Sequence, residues 1–232
     1  MSQSSASLRL LNEVRFPTFM TIHRLHMPVP PVSLVVAPPP RDISDQELAS
    51  ALIEGKSWAI GETWHRFAPP VIMLARRALG SESEAEDVAQ EVFQRVFAKA
   101  ATLRAPDRLR SFIFSFAIRV LRTELRAKRT RSWLSFHRPE TLIDLGGEAM
   151  DMEARDLLRR FYGLLDRLTA RHRLVFVLRH LESMTLEEVA AHMELSLSTV
   201  KRSLERATSK LSVWIETDPD LVAFFDDMRW NR

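Results

Sequence analysis

A row of polar and basic side chains at helical spacing is the first feature of this sequence that could do chemistry. Residues 101–131 carry nine Arg or Lys and only two acids. Within them four positions recur every three to four residues: Ser115, Arg119, Arg122 and Arg126. Side chains at that spacing lie on one face of an α-helix. Because guanidinium groups bind phosphates, this face, called the basic row below, predicts contact with a nucleic acid.

The segment after the basic row mixes basic and aromatic side chains. It reads Lys128-Arg-Thr-Arg-Ser-Trp-Leu-Ser-Phe136 and is predicted to form a loop. Bases drawn out of a duplex stack on aromatic side chains with about 1 to 3 kcal/mol each, which is similar to the cost of unstacking them. The alternative is that the aromatic side chains only close the core of the domain. The candidate DNA contacts here are Lys128, Arg129, Arg131, Trp133 and Phe136.

A second candidate surface lies near the C-terminus. Residues 185–214 predict a short capped helix, a tight turn and a second capped helix, as in a helix-turn-helix. On the second helix one apolar stripe predicts the buried face: Leu197, Val200, Leu204, Ala207 and Leu211. The turn holds Glu194 where a glycine is usual, which implies a left-handed residue at a small cost or a remodelled turn.

The cap and outer arc of that second helix could read DNA. Hydroxyl, guanidinium and carboxylate groups can bond base edges, and lysines at the flanks can reach phosphates. The alternative is a plain amphipathic helix with a solvated face. The candidate residues, called the recognition arc below, are Ser196, Ser198, Thr199, Lys201, Arg202, Glu205, Arg206 and Lys210.

A third surface is acidic and rich in amides. The predicted helix over residues 83–100 has an apolar side for the core: Val88, Val92, Phe93, Val96, Phe97 and Ala100. Its opposite side, called the acidic face below, carries Asp87, Gln90, Glu91 and Gln94, with Arg95 at the edge. Its acids are interpreted as lacking a basic partner at helical spacing, so the face could contact another protein. The alternative is a face that is only solvated.

Composition excludes several classes of chemistry. The chain has 232 residues, a net charge of +3 and no cysteine. Without cysteine there is no disulfide framework, no Cys-ligated zinc and no thiol nucleophile. No apolar run reaches the roughly 18 to 20 residues needed to cross a bilayer. The N-terminus lacks the pattern of a secretory signal, so a cytoplasmic protein is expected.

The elements that must position these surfaces are predicted to be helices throughout. Apolar residues recur every three to four positions from Ser44 onward, which makes the fold all-α. The candidate helices are residues 45–54, 57–79, 83–100, 107–128, 153–168, 170–181, 186–193 and 197–214. Capping boxes are predicted at Ser44 with Glu47, at Ser83 with Glu86 and at Thr185 with Glu188.

Composition also predicts two small helical domains. Residues 1–43 hold seven of the twelve prolines and are expected to form a disordered arm. Residues 137–152 contain Pro139 and a Gly-Gly pair, and six acids against two bases over residues 137–156 indicate a flexible acidic linker. The predicted organisation is arm 1–43, domain 44–136, linker 137–152, domain 153–215 and C-terminal tail 216–232.

Two segments resemble regions of one protein family. The stretch from Leu164 to Ala190, which leads into the helix-turn-helix, resembles region four of bacterial RNA polymerase sigma factors. The string Ala85-Glu-Asp-Val-Ala-Gln-Glu-Val-Phe93 resembles their region two. Both occur in the family's order over residues 44–215, without the domain that larger members insert between them. The chain is therefore similar to sigma factors of the extracytoplasmic-function (ECF) type.

This resemblance implies a function for each surface. The acidic face would dock on the β′ clamp helices of core RNA polymerase, with a further contact at the β flap. The basic row and the segment after it would engage the minus-10 element and capture a flipped base, and the recognition arc would read the minus-35 element. The implied partners are core polymerase and promoter DNA, with an anti-sigma factor as a further candidate. No catalytic residue, cofactor or metal is implied.

The chain departs from the family pattern at two places in its basic helix. It has Ala117-Ile-Arg119 where many members have Ala-Arg-Asn, and Phe112 where tryptophan is common. These departures leave the basic face in place but bear on how the minus-10 element is read.

Two other classes of function stay open on the sequence alone. Glu84, Asp87 and Glu91 put carboxylates on adjacent helical turns, as in all-α nucleotide hydrolases that use magnesium. The neighbouring helices are basic and supply no matching acidic pair. The other class is a stand-alone helix-turn-helix regulator, which would bind duplex DNA tightly without polymerase.

Overall fold

The computed structural model describes residues 43–134 and 152–230, and of these it describes only the backbone of 131–134 and 226–230. These two stretches are helical and contain no strand, which confirms the all-α prediction. The helices are α1 Asp45–Ile53, α2 Ser57–Leu79, α3 Glu82–Ala98, α4 Leu109–Leu134, α5 Met152–Asp166, α6 Ala170–Phe176, α7 Leu186–Met193, α8 Leu197–Ile215 and α9 Pro219–Trp230. A π-helical turn, Val177–Leu181, extends α6.

Side-chain caps begin several of these helices. The capping boxes predicted at Ser44 with Glu47 and at Thr185 with Glu188 are confirmed, since each pair bonds reciprocally. The box predicted at Ser83 is wrong. Helix α3 begins at Glu82, and the Ser81 hydroxyl accepts the Glu84 amide at 3.4 Å. A serine two residues earlier in the chain therefore satisfies the free amides of this helix start.

Helix α4 is longer than predicted. The sequence pattern placed a loop from Lys128, whereas the helix continues to Leu134. The chain offers no proline or glycine in this stretch, and lysine and arginine are good helix formers. The Thr130 hydroxyl also bonds the Arg126 carbonyl at 3.1 Å, as in a regular helix. Beyond Leu134, the predicted linker and Phe136 lie outside the described residues.

The predicted C-terminal tail is helical over most of its length. Asp218 accepts the Leu221 amide at 3.3 Å and Pro219 occupies the first helical position, so α9 starts on a recognised signal. Phe225 is buried and its ring lies 5.3 Å from that of Phe161 in α5. Arg160 bonds both Asp218 and Asp220 at about 3 Å. Helix α9 is therefore a packed part of the second domain.

The two domains pack against each other through a shared apolar core. Buried side chains of α1 to α4 form one cluster with those of α6, α7 and the start of α8, including Leu174, Val189, Met193 and Val200. A second cluster joins α5, α8 and α9. The seam also carries polar contacts, since Arg77 of α2 bonds Glu182 at 2.8 Å and the Leu181 carbonyl at 2.9 Å. Sequence patterns did not indicate this contact between domains.

No helix in the stretches 43–134 and 152–230 has both the length and the apolar character needed to cross a membrane.

Candidate nucleic-acid interface

The helix-turn-helix positions the recognition arc. Val200, Ala207 and Leu211 of α8 are buried and Leu197 and Leu204 half-buried, which confirms the predicted stripe. The Ser196 hydroxyl caps α8 by accepting the Thr199 amide at 3.3 Å. In the turn before it, Glu194 has φ 55° and ψ 46°, so it takes the left-handed conformation expected for a glycine substitute at this place.

Most of the recognition arc faces solvent. Thr199 is half-buried and its hydroxyl lies 2.8 Å from that of Ser196. A shallow open groove on α8 is lined by Arg202, Glu205, Arg206, Ser209 and Lys210. The exposed predicted residues are Ser196, Ser198, Lys201, Arg202, Glu205, Arg206 and Lys210. Donors and one carboxylate acceptor thus share one accessible surface, as base-edge contacts require.

The positive field of this surface reaches a neighbouring histidine. Burial lowers the pKa of His172 in α6, and the charges of Lys210, Arg206 and Arg171 lower it further. A second cationic group, Arg167, lies over the Trp214 ring at 4.2 Å from its centroid. This end of the second domain therefore combines clustered cations with an aromatic ring, Trp214, that stacks against Arg167. Such a positive surface suits an anionic partner.

The basic row lies on the outer side of α4. Arg119 and Arg126 are exposed, and Ser115 and Arg122 are half-buried. Ile113, Ala117 and Val120 are buried on the opposite side. Phe112 and Phe116 are half-buried, with ring centroids 5.0 Å apart, and the Arg119 guanidinium lies 5.7 Å from the Phe116 centroid.

Several predicted minus-10 residues already have partners inside the protein. The Lys128 ammonium donates to the Leu79 carbonyl at 3.1 Å and to the Glu84 carboxylate at 2.8 Å. The Arg129 guanidinium donates to the Leu168 carbonyl at 3.2 Å, across the domain seam. Lys128 is half-buried and both of its bonds are internal, so the structure does not present it as a free DNA contact, whereas Arg129 is exposed and keeps further donors. Arg131 and Trp133 lie in the last turn of α4, where side chains are not described, and Phe136 lies outside the described residues.

Arg119 also contacts the second domain. Its guanidinium forms an ion pair with Glu194 in the turn of the helix-turn-helix. The hydrogen bond and the charge of Arg119 lower the pKa of Glu194, and the charge of Arg122 lowers this pKa further. Two members of the basic row thus act on one carboxylate from the other domain.

The acidic face of α3 is accessible. Asp87, Gln90 and Gln94 are exposed, and the predicted core side of the helix is buried apart from Phe97, which is half-buried. The interpretation that its acids lack a basic partner is wrong, because Arg95 pairs with Glu91 at 2.5 Å across one helical turn. The four-residue spacing of Glu91 and Arg95 could have been recognised in the sequence as that of a helical ion pair. Asp87 remains the exposed carboxylate of this face.

The magnesium site considered from the sequence is not favoured. Glu84 is bonded to Lys128, so a cation already neutralises one of its three proposed ligands. Among the described residues no group of three or more acids and histidines could hold a metal ion.

Comparison with known proteins decides the family. The family model described as "Sigma-70 region 2" matches residues 63–131, and the one described as "Sigma-70, region 4" matches residues 164–212. RNA polymerase sigma factor CnrH of Cupriavidus metallidurans is 30% identical over 188 residues, which cover 76% of this chain and 97% of the relative. This chain belongs to the sigma-70 family. It is a sigma factor of the ECF type and directs RNA polymerase to promoters.

Further relatives agree with this assignment. The ferric citrate uptake sigma factor FecI of Escherichia coli is 29% identical over 136 residues, covering 56% of this chain and 76% of the relative. A solved structure of CnrH in complex with the cytosolic domain of CnrY has a TM-score of 0.54 and 26% identity, and the match covers 75% of this chain and 98% of that one.

A more distant structure supports the fold alone. The sigma factor RpoE in complex with the anti-sigma factor NepR, from Bartonella quintana, has a TM-score of 0.52 and 18% identity. The match covers 68% of this sigma factor and 97% of that chain.

Sequence reasoning missed three features of this sigma factor. The ion pair of Glu194 with Arg119 and the partners of Lys128 and Arg129 depend on contacts between distant parts of the chain, so no local pattern indicates them. Helix α9 had a local signal, the Asp218-Pro219 pair that precedes an apolar run.

Proposed function

We propose that this sigma factor divides promoter recognition among three surfaces, each on its own helix. The acidic face of α3 binds core RNA polymerase, the recognition arc of α8 reads the minus-35 element, and the basic row of α4 engages the minus-10 element. The observation that carries this proposal is the exposure of all three surfaces on helices whose opposite sides are buried. The domain bounds are those derived from the sequence, with α9 added to the second domain.

The minus-35 contact rests on the chemistry of α8. Arg202 and Arg206 lie one turn apart and are both exposed, so each can bond a guanine edge with two donors. One such contact discriminates by about 1 to 3 kcal/mol against the wrong base. Lys201 and Lys210, at the flanks of the arc, supply affinity through phosphates without sequence preference. Ser196 leaves the first amides of α8 accessible to a phosphate.

The minus-10 contact rests on the basic row. Arg119, Arg122 and Arg126 bind the backbone of the opened strand, and Trp133 and Phe136 supply stacking for an extruded base. Opening then draws on binding energy rather than on ATP, because stacking and phosphate contacts offset the cost of unstacking. Lys128 must first leave Glu84 to contact the strand, whereas the exposed Arg129 can use its remaining donors.

The polymerase contact rests on the accessible polar side of α3. Asp87, Gln90 and Gln94 offer hydrogen-bond acceptors and amide donors. Arg95, at the edge of this face, forms an ion pair with Glu91. The expected target is the β′ clamp helices, with the β flap as the contact of the second domain. This sigma factor is a binding protein without catalytic residues or a cofactor.

An anti-sigma factor is the proposed protein regulator. The CnrH structure contains the cytosolic domain of CnrY, and the RpoE structure contains the anti-sigma factor NepR. We place this sigma factor in the cytoplasm and on the nucleoid, because it acts together with RNA polymerase there.

Transcription in vitro tests the proposal. The full chain is mixed with purified core polymerase and a library of promoter fragments, and transcripts are sequenced. We expect transcripts from fragments that share a pair of elements at a fixed spacing. A core preparation that is active with another sigma factor but gives no transcript with this folded chain would contradict the proposal. Equally tight binding to the selected duplex without polymerase would favour a stand-alone regulator.

A further inference from the structure

Glu194 brings a carboxylate from the second domain onto the basic row of the first. It ends α7, and its backbone amide donates to the carbonyls of Ala190 and Ala191, which holds the backbone at this residue. Its φ of 55° would suit a glycine better. A glutamate in this conformation has a higher conformational free energy than a glycine would have. A favourable contact of its side chain can offset that cost.

The side chain has a defined target. The Glu194 carboxylate pairs with Arg119 and is also influenced by Arg122, which lies three residues later on α4. A guanidinium binds a carboxylate and a phosphate through the same planar pair of donors. The carboxylate thus occupies a position on α4 that suits a phosphate.

The contact is possible only while the two domains are packed together. Helix α7 lies against α4, and Val189 and Met193 of α7 are buried in the core shared with the first domain. Arg129 of the same helix α4 is held across this seam by the Leu168 carbonyl. Among the minus-10 candidates whose side chains the structure describes, Arg119 and Arg129 therefore bond the second domain.

We infer that Glu194 acts as an internal substitute for a DNA phosphate on the basic row, so that the packed domain arrangement and the minus-10 strand compete for Arg119. This inference rests on the proposed function of the basic row. The recognition arc stays exposed in the packed arrangement, so the competition concerns the minus-10 contact alone.

The strength of the competition follows from exposure. The side chains of Arg119 and Glu194 are 44% and 58% exposed. Exposed pairs of this kind change an equilibrium by about 1.5- to 5-fold. The apolar seam, the pair of Arg77 with Glu182 and the bond of Arg129 to Leu168 also hold the domains together, so Glu194 adjusts the equilibrium between packed and open domains and does not set it alone.

The test measures domain packing directly. Because the chain has no cysteine, two can be introduced for dyes at the exposed positions Ser57 and Glu216, and energy transfer between the dyes reports packing in the full chain. We expect Glu194→Gln to raise the ratio of open to packed molecules by about 1.5- to 5-fold at low salt. The difference should disappear near 1 M salt, where screening acts within about 3 Å.

Matched variants separate this pair from other effects. Glu187→Gln removes one exposed carboxylate from the same helix α7 and should leave the ratio unchanged. Exchange of the two charges, Arg119→Glu with Glu194→Arg, should restore part of the packing, because Arg122 repels the new arginine. If Glu194→Gln behaves like Glu187→Gln, the inference is overturned.

A second measurement tests the competition with phosphate. A labelled twelve-residue oligothymidylate should bind the Glu194→Gln variant more tightly than wild type by the same factor as the opening, and Glu187→Gln should bind as wild type. Unchanged affinity for the oligonucleotide would overturn the competition even if packing changed. Neither measurement uses polymerase or a promoter, so this inference can fail while transcription succeeds, and the reverse.

Discussion

Substitution of Gly80 tests how the two domains pack. Gly80 ends α2 with φ 71°, and a Cβ atom placed on it would lie 2.7 Å from Cδ1 of Tyr162 in α5. Tyr162 is buried, and burial raises the pKa of its phenol. The contacted atom belongs to a fixed ring and not to the end of a flexible side chain, so Gly80→Ala must displace the ring or the backbone.

Two separate costs add up in this variant. An alanine in the left-handed region costs about 1 to 2 kcal/mol. Forcing an extra methyl group into a packed seam costs a further 1 to 3 kcal/mol or so. Gly55 has φ 73° with nothing within 4 Å of a built Cβ, so Gly55→Ala carries only the first cost. We expect Gly80→Ala to lose about 1 to 3 kcal/mol more free energy of unfolding than Gly55→Ala.

Urea unfolding followed by far-ultraviolet circular dichroism measures this difference. Adding Tyr162→Leu to Gly80→Ala should recover part of the loss, because the smaller side chain frees space beside the new methyl group, whereas adding it to Gly55→Ala should only destabilise. Equal losses for Gly80→Ala and Gly55→Ala would refute the reasoning, since Tyr162 would then not lie against Gly80 in solution.

Four further predictions concern the surfaces and the buried histidine. Replacing Asp87 and Glu91 together by Ala should weaken binding to core polymerase, measured by fluorescence anisotropy, while helicity stays the same. Site selection with Arg202→Ala should show relaxed preference at one or two minus-35 positions, worth about 1 to 3 kcal/mol. Arg122→Ala should lower permanganate reactivity of minus-10 thymines, and a premelted bubble template should rescue it. Burial lowers the pKa of His180 to about 4, so between pH 7 and 5 the unfolded state takes up the proton and stability should fall by about 2 kcal/mol.

Each of these has a control and a contrary outcome. Lys201→Ala should reduce affinity without changing the selected motif, and an identical motif for Arg202→Ala would show that Arg202 does not read bases. If the variant with Asp87→Ala and Glu91→Ala binds polymerase as tightly as wild type does, the acidic face is not the polymerase-binding surface. If Arg122→Ala is as defective on the bubble template as on the duplex, it impairs polymerase binding or folding and not strand opening. His180→Gln should reduce the loss of stability at pH 5, and a pH profile equal to that of wild type would contradict the role of burial.

Local signals in the sequence were sufficient for the all-α class, for most helix bounds and for the family. The stripe around Val200 and the boxes at Ser44 and Thr185 depend on residues three or four apart, and such contacts form within one helix whatever surrounds it. The pairing of Arg95 with Glu91 belongs to the same class and could have been predicted. So could α9, through Asp218 and Pro219.

The tertiary structure alone decided which functional groups are free. Lys128 is a typical DNA-contacting residue by type and spacing, yet Glu84 and the Leu79 carbonyl hold it, and Arg129, although exposed, bonds the Leu168 carbonyl. Arg119 and Glu194 are 75 positions apart, and only the packing of α7 on α4 brings them together. A charged side chain takes whatever partner the fold places within reach, and that distance depends on how whole helices pack and not on the residues beside it in the chain.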